Sequence, residues 1–365
     1  MTEHFTSDSL AAKATGNCWQ ARWVAVTPEA SQLVHRIRKR QRLGARLFRF
    51  VPGAARRNRL IHDFTFRSDA EAVAFPFALK QGRLPDFNSP RVLAEKVRWT
   101  FLHHRNPLMP LISDKIAVRD YLHSKGAQIA PPKLIATGWK PEDILRMELP
   151  ERFALKASNS CGANHFHTGP AAPDRKDLRR KLQLWRDADH WRRHGELFYR
   201  DIPWRFLVEE FLPSDHRRIE YKIMCFHGEP AFISAISQRG PGGLQRSVRW
   251  PDWSPAGFGT RGISSSPTPP DRPEMLDQLL AEARRLSEDL MHVRVDFLHY
   301  DHRLVFSELT LSNAAMRTPI DPPEADEWLG GLVDLSREAE YAERGRAIAK
   351  ALAWPPVPPG RRHPG

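Results

Sequence analysis

The chain has 365 residues and a mass of 41.9 kDa, enough for two or three packed subdomains and too much for a peptide, a bare binding module or a fibre. Apolar residues at 41% and charged residues at 27% give a globular balance rather than a disordered one, and no stretch approaches the roughly 18 apolar residues of a membrane span. The net charge is +13, and three cysteines (Cys18, Cys161, Cys225) without a CxxC exclude a disulfide framework or zinc ribbon and fit a reducing cytoplasm.

The chain opens MTEHFTSDSL, with neither a basic n-region nor an apolar core, which argues against a secretory signal. Residues 31–60 then hold ten Arg or Lys and no acid, so most of the basicity belongs to this piece and the rest is close to neutral. Leu33, Val34, Ile37, Leu43, Leu47, Phe48, Phe50 and Val51 predict a partly amphipathic helix, interrupted at Gly44 and Pro52. Such a segment suits an anionic membrane surface, ahead of a nucleic acid, or is simply a solvated arginine-rich helix.

Asn88-Ser89-Pro90 reads as an N-cap and first turn, opening a helix through Leu93, Val97, Phe101 and Leu102. Ser113 reads as the start of a second helix, stopped by Gly126. Arg152 to Lys156 predicts a short strand running into the small polar loop Ser158 to Asn164, and residues 174–194 predict an amphipathic helix. Three strand-like runs follow, Arg205 to Leu212, Ile219 to Phe226 and Ala231 to Ser237, the last two joined by a turn at His227 to Pro230. Residues 240–272, rich in Gly, Ser, Pro and Trp, read as a long loop. Pro273 opens a helix with Leu276, Leu279, Leu280, Ala283, Leu286 and Leu290 at helical spacing, before strands His292 to Tyr300 and Leu304 to Thr310. Mixed elements with several hairpins predict an α+β fold with antiparallel sheets.

Residues 293–313, VRVDFLHYDHRLVFSELTLSN, are the most informative. Alternation puts Arg294 and Asp296 on one face of a strand. If Asp301-His302-Arg303 is a three-residue hairpin loop, Tyr300 pairs with Leu304 and Asp296 lies opposite Glu308. Two like charges about 5 Å apart destabilise a sheet, so something positive belongs between them. A hard divalent ion with oxygen ligands, Mg²⁺ or Mn²⁺, is the economical answer, and Mg²⁺ normally brings a nucleotide phosphate. The alternative is a surface hairpin whose carboxylates splay into water.

Six segments in order over residues 85–331, about two thirds of the chain, carry a resemblance. They are PDFNSPRVLAEKVRWTFLHHRNPLMPLISDKIAVRDYL, LPERFALKASNSCGANH, FLVEEFL, EYKIMCFHGEPAFI, VRVDF and VFSELT. Together they resemble the TupA-like ATP-grasp family, associated with bacterial polysaccharide assembly. The resemblance implies two α+β subdomains closing on ATP behind a basic helical N-terminal extension. The organisation expected is the extension over 1–84, a helical region over 85–150, a first subdomain with the phosphate loop over 151–212, a second with the metal site over 213–354, and a disordered tail over 355–365.

The same resemblance implies roles. Lys115 and Lys156 match the lysines that reach the nucleotide phosphates, and Ser158 to Asn164, including Gly162, the loop that folds over them. This loop departs from the glycine-rich form at Cys161, which leaves a reactive cysteine as a minor alternative. Glu209, Glu210, Phe211 and Leu212 match the hinge that holds adenine, and Glu220 the carboxylate on the ribose. Lys222 reads as its salt-bridge partner or a further phosphate contact. Asp296 and Glu308 match the metal ligands and Arg294 an arginine near the transferred phosphate. Thr310 stands where many ATP-grasp ligases have an asparagine, and Asn313 is the substitute oxygen available. Arg239, Arg246, Arg249 and Arg317 read as loop residues facing an anionic acceptor, with Arg239 grouped among the catalytic candidates.

The expected activity is an ADP-forming, ATP- and Mg²⁺-dependent carboxylate–amine ligation through an acyl phosphate, on small-molecule or glycan substrates. A kinase acting on a hydroxyl, or a nucleic-acid-binding protein working through residues 31–60, are the alternatives, although no specific nucleic-acid partner is expected. The expected location is the cytoplasm, with peripheral contact at the inner membrane face.

Overall fold

A computed structural model describes residues 26–358, apart from 214–217, 241–242, 264, 267 and 301 and the side chains of 238–240 and 243–244. The readings of the first 25 residues, Cys18 included, and of the tail beyond 358 lie outside the described residues.

Three helices come first, α1 (Pro28–Leu47), α2 (Ala54–Thr65) and α3 (Asp69–Gln81). Thr27 caps α1, its Oγ1 accepting the Ala30 N–H at 3.3 Å, with Pro28 in the first turn. The expected break at Gly44 is absent. The helix runs through it because α2 crosses there, and a Cβ on Gly44 would meet the Phe64 ring at 3.0 Å. Pro52 does separate α1 from α2. Ala30, Leu33 and Ile37 pack on Ala78 of α3, leaving most of the arginines outside.

Three more helices follow, α4 (Leu93–His103), α5 (Leu108–Ser113) and α6 (Val118–Ser124). Two expected starts are wrong for one reason: an aspartate captures the backbone locally. The N–H groups of Asn88 and Ser89 both donate to Asp86 at 2.9 Å, so these residues form a turn and α4 begins only at Leu93. Ser113 ends a helix; the buried Asp114 carboxylate accepts the Ile116 N–H at 2.8 Å and delays α6 to Val118.

Strand β1 (Leu134–Gly138) lies inside the stretch expected to be helical. After α7 (Pro141–Leu145) come β2 (Phe153–Ala157), β3 (Asn164–His167), α8 (Arg175–Asp187), α9 (Trp191–His194) and β4 (Phe206–Glu210). The single helix expected over 174–194 is therefore two. The strands form an antiparallel sheet in the order β1-β4-β2-β3. Phe153, Leu155, Phe206 and Val208 cover its back with Ile144 of α7 and Leu178 and Leu182 of α8, which leaves Lys156 and Glu209 in front.

The second sheet is larger: β5 (Ile219–Phe226), β6 (Glu229–Gly240), β7 (Gly243–Arg249), β9 (His292–Tyr300) and β10 (Arg303–Thr310), antiparallel in the order β10-β9-β5-β6-β7. The turn between β5 and β6 is only His227-Gly228, at φ of 51° and 87°, since Phe226 pairs with Glu229. β7 corrects the expected long loop, as does β8 (Gly259–Thr260), which pairs with β11 (Ile320–Asp321). A Gly- and Arg-rich segment became a strand because β6 offered an edge to pair with. Behind this sheet lies α10 (Leu276–Ser287), with Leu279, Ala283 and Leu286 in the core that includes Ile223, Cys225, Ile233, Val293 and Val295. Helices α11 (Pro323–Gly331) and α12 (Glu338–Ala351) complete the described chain. The class is α+β with antiparallel sheets, and no helix among the described residues is long and apolar enough to cross a membrane.

Candidate active site

Cross-strand register builds the site on the front of the second sheet. One row reads Glu308, Asp296, Lys222, Ser234, Val248 across β10, β9, β5, β6 and β7; the next reads Thr310, Arg294, Met224, Phe232. The Asp296–Glu308 pairing is present, but by another route than the one expected. Arg303, not Leu304, pairs with Tyr300, so Arg303 belongs to β10 rather than to the loop. A bulge between Phe306 and Glu308 then restores the register.

Arginine 294 is the positive group between the two carboxylates. Its guanidinium donates to Asp296 at 2.6 and 2.7 Å, to Thr310 Oγ1 at 3.3 Å and to Asn313 Oδ1 at 3.0 Å, and lies 3.4 Å from Glu308. Lys222 closes on the other side of Asp296 and lies 3.5 Å from Glu220, which also pairs with Arg218 at 2.8 Å. Burial opposes the Asp296 charge, but Arg294 and Lys222 outweigh it and hold the carboxyl below its ordinary range. Burial likewise opposes the Arg294 charge, and Asp296, Glu308 and Glu220 raise its pKa regardless. Glu308 differs from Asp296 in being open, its side chain 48% exposed.

Asn313 is positioned by an unusual loop. Ala314, Ala315 and Met316 all have φ near +50°, each costing about 1–2 kcal/mol for a residue with a Cβ. The fully buried Arg98 holds this loop by donating to the Ala315 carbonyl as well as to that of Val73.

Asp296, Glu308 and Asn313 thus offer only hard oxygen donors around one cationic position. That set suits Mg²⁺ or Mn²⁺, which takes one or two carboxylates and completes its shell with water and phosphate. Among the described residues no group of three His, Cys, Asp or Glu stands ready for a metal, so zinc-type ligation has no candidate.

The first sheet brings the phosphate-binding candidates. Lys156 pairs with Glu209, which also holds Arg119 at 2.8 Å. Lys115 donates to the Ser160 carbonyl. Burial pushes the Lys115 pKa down, with Glu308 resisting and Lys156 reinforcing the shift, so it stands between the two sheets' charges. Gly162, at φ +81°, turns the loop. The N–H groups of Asn159, Ser160, Cys161 and Gly162 find no acceptor among the described residues, which suits a phosphate.

Several expected site residues are placed otherwise. Ser158 is structural: its N–H donates to the Arg205 carbonyl at 2.9 Å, and its buried hydroxyl donates to the Pro203 carbonyl at 3.0 Å. Glu210 points away from Glu209 and pairs with Arg303 at 2.7 Å. Leu212 follows β4 and is half-buried. Burial, reinforced by Glu308, pushes the Cys161 thiol up, which opposes a reactive thiolate. Arg239, Arg246 and Arg249 are in strands, not loops; the Arg239 backbone pairs with Leu244 and its side chain lies outside the described residues. Arg317 donates to the Ala314 carbonyl beside the Asn313 loop. Arg119 was not expected here, since its partner lies 90 residues away and no local signal marks it.

The TupA-like ATP-grasp family matches residues 95–334. Among solved structures, the chain is similar to a D-alanine–D-alanine ligase from Helicobacter pylori at 14% identity and a TM-score of 0.33, covering 64% of this chain and 61% of that one. It is similar to the D-alanine–D-alanine ligase from Bacillus anthracis complexed with ATP at 15% identity and a TM-score of 0.33, covering 66% and 68%. A RimK domain ATP-grasp protein from Sphaerobacter thermophilus matches at 11% identity and a TM-score of 0.35, covering 65% and 69%. The match therefore spans less than two thirds of the Helicobacter pylori protein. No curated protein matches the chain.

Proposed function

The chain belongs to the TupA-like ATP-grasp family, and from that premise we propose that it is an ATP-dependent, ADP-forming carboxylate–amine ligase. The observation that carries the reading is the meeting of Lys115, Lys156 and a loop of unused N–H groups with the Arg294–Asp296–Glu308 row. Lys115, Lys156 and the backbone of residues 159–162 bind the phosphate chain. Glu209 orients Lys156, and Glu220 takes the ribose hydroxyls. Asp296, Glu308 and Asn313 would hold Mg²⁺, which neutralises phosphate charge when bound. Asp296 aims Arg294 at the γ-phosphate.

A substrate carboxylate oxygen attacks the γ-phosphorus while the bridging P–O bond to ADP breaks, giving an acyl phosphate. A neutral amine then adds to the acyl carbon and expels phosphate, which departs as hydrogen phosphate carrying the amine's proton and leaves an amide. This route asks the protein for alignment and charge rather than a nucleophile, in keeping with the raised Cys161 pKa. Family membership supports a product destined for a surface polysaccharide or related conjugate.

Hydroxylamine trapping tests the reading. With a competent acid, hydroxamate, ADP and phosphate are expected in equal amounts, and none from Lys156→Ala. A stable phosphorylated product without hydroxamate would make the protein a kinase, and AMP release would displace the phosphates from the groups named here.

Peripheral contact with anionic lipid has its own support. Leu43, Leu47 and Phe50, the last 82% exposed, line the outside of α1 and its end among the exposed Arg42, Arg46 and Arg49. Replacing these three arginines by glutamine is expected to reduce flotation with anionic vesicles, at about 1 kcal/mol per residue. Equal binding to neutral and anionic vesicles would dismiss the idea.

A further inference from the structure

Beside the carboxylate row, the front of the second sheet sinks into a cavity of about 350 Å³. Phe232 and Ile236 of β6 and Val248 of β7 line it, with Phe258 and Ile263 from the segment after β7. Phe232 and Phe258 meet edge to face, their centroids 5.1 Å apart. In this apolar wall stands Arg246, only 8% exposed.

Burying a guanidinium without a partner costs several kcal/mol. The other two cations lining the cavity, Lys222 and Arg294, share Asp296. Arg246 has neither an ion pair nor a side-chain hydrogen bond among the described residues. Its guanidinium is not sealed off, because none of its nitrogens is among the fully buried atoms left unbonded. Burial, with the neighbouring Arg294 charge, pushes its pKa down to about 10, so it stays cationic at neutral pH.

We propose, resting on the ligase reading, that this cavity is the acceptor subsite and takes a carboxylic acid with an apolar body of aromatic amino-acid size, its carboxylate paired with Arg246. The ligand brings the missing half of a buried ion pair. Ser234, Thr260 and Thr318 also line the cavity, but a ring hydroxyl set against Phe232, Ile236 or Phe258 loses its bond to water, which disfavours a sugar acid. Since Arg294 lies within electrostatic reach of Arg246, an acid held there sits beside the groups assigned to phosphoryl transfer.

Calorimetric titration of the full chain, saturated with Mg²⁺ and a non-hydrolysable ATP analogue, tests this with 3-phenylpropionate, L-phenylalanine and D-glucuronate. The aromatic acids are expected to bind at least about tenfold more tightly than glucuronate. Arg246→Ala should weaken them by about 30-fold or more, with Arg246→Lys intermediate and the affinity for the analogue unchanged in both. Should Arg246→Ala misfold, Phe258→Ala serves instead, weakening the aromatic acids by about tenfold without affecting glucuronate. Glucuronate binding as tightly as the aromatic acids, no acid binding at all, or an Arg246→Ala variant with wild-type acid affinity would overturn the inference while analogue binding leaves the ligase reading standing. A wild-type protein that fails to bind the analogue overturns both, and that failure shows before any acid is added.

Discussion

Each sheet presents a buried carboxylate gripped by two cations, and the two grips differ in what they leave open. Glu209 lies between Lys156 and Arg119; Arg119 arrives from α6 and is fixed again by the Pro132 carbonyl at 2.7 Å. That cluster carries a surplus positive charge beside the loop from Ser158 to Asn164, the proposed phosphate site. Asp296 lies between Arg294 and Lys222, both on strands next to its own or on its own. Around Arg294 the remaining partners are oxygens of Glu308, Thr310 and Asn313, and Glu308 is half-exposed. The first sheet thus offers only cations, whereas the second offers cations and an open acidic group together. A buried carboxylate in either place acts mainly by orienting its cations, because an ion pair taken out of water adds little net stability of its own.

The largest expected effect comes from Asp296→Asn, which would leave the buried Arg294 and Lys222 only their longer contacts with Glu308 and Glu220. It should cost about 3–5 kcal/mol of stability and abolish turnover. Glu308→Gln should also remove Mg²⁺-dependent turnover, yet stay within about 1 kcal/mol of wild type in stability, since its charge is half-solvated. Urea unfolding beside an ADP-release assay reads both. An Asp296→Asn protein as stable as wild type would erase the distinction between the gripped and the open carboxylate.

A smaller contrast exists in the first sheet. Glu209→Gln strands Lys156 and Arg119 and is expected to destabilise by about 3 kcal/mol while weakening nucleotide binding. Glu210→Gln loses the charge of a pair with Arg303, itself 54% exposed, while its amide oxygen can still accept the Lys133 N–H, and should change stability by less than about 1 kcal/mol. Equal losses from the two neighbours would mean that the Glu209 cluster is no more than surface charge.

The subtlest contrast is in acid. His292 opens β9, fully buried, with Thr100 Oγ1 at 3.3 Å from its Nε2. Burial, aided by His104 and His227, pushes its pKa down to about 3 from the ordinary 6.5. Between those values the unfolded chain binds a proton that the folded one refuses, so stability is lost as pH falls from about 6.5 towards 3. Hydrogen exchange at falling pH should therefore loosen β5 and β9 before β2 and β4, and His292→Gln should flatten that slope. Uniform loosening of both sheets would place the acid sensitivity elsewhere.

Much of this architecture was legible in the residues. Apolar alternation in VRVDF and in RFALK marked strands with Asp296, Arg294 and Lys156 on their faces, because a period of two is a local property. The pairing of Asp296 with Glu308 was also readable, although the shorter hairpin and the bulge that produce it were not. Helix starts at Asn88 and Ser113 misled because Asp86 and Asp114 compete for the same N–H groups, and such a contest is settled by where the next helix packs. β7 was hidden since Gly243, Gln245, Arg246 and Arg249 carry little strand preference of their own, and β6 supplied the reason to pair.

The α+β class, the strands that carry Lys156, Arg294 and Asp296, and the types of group facing the site followed from the sequence alone, since they rest on short-range periodicity and on residue chemistry. Which charges neutralise one another did not. The position between Asp296 and Glu308 where a cation was expected holds Arg294, Lys222 reaches Asp296 across 74 residues, and Arg246 is buried without an ion pair among the described residues. Those outcomes belong to the tertiary structure, because the cost of a buried charge depends on neighbours that only the folded sheet brings within reach.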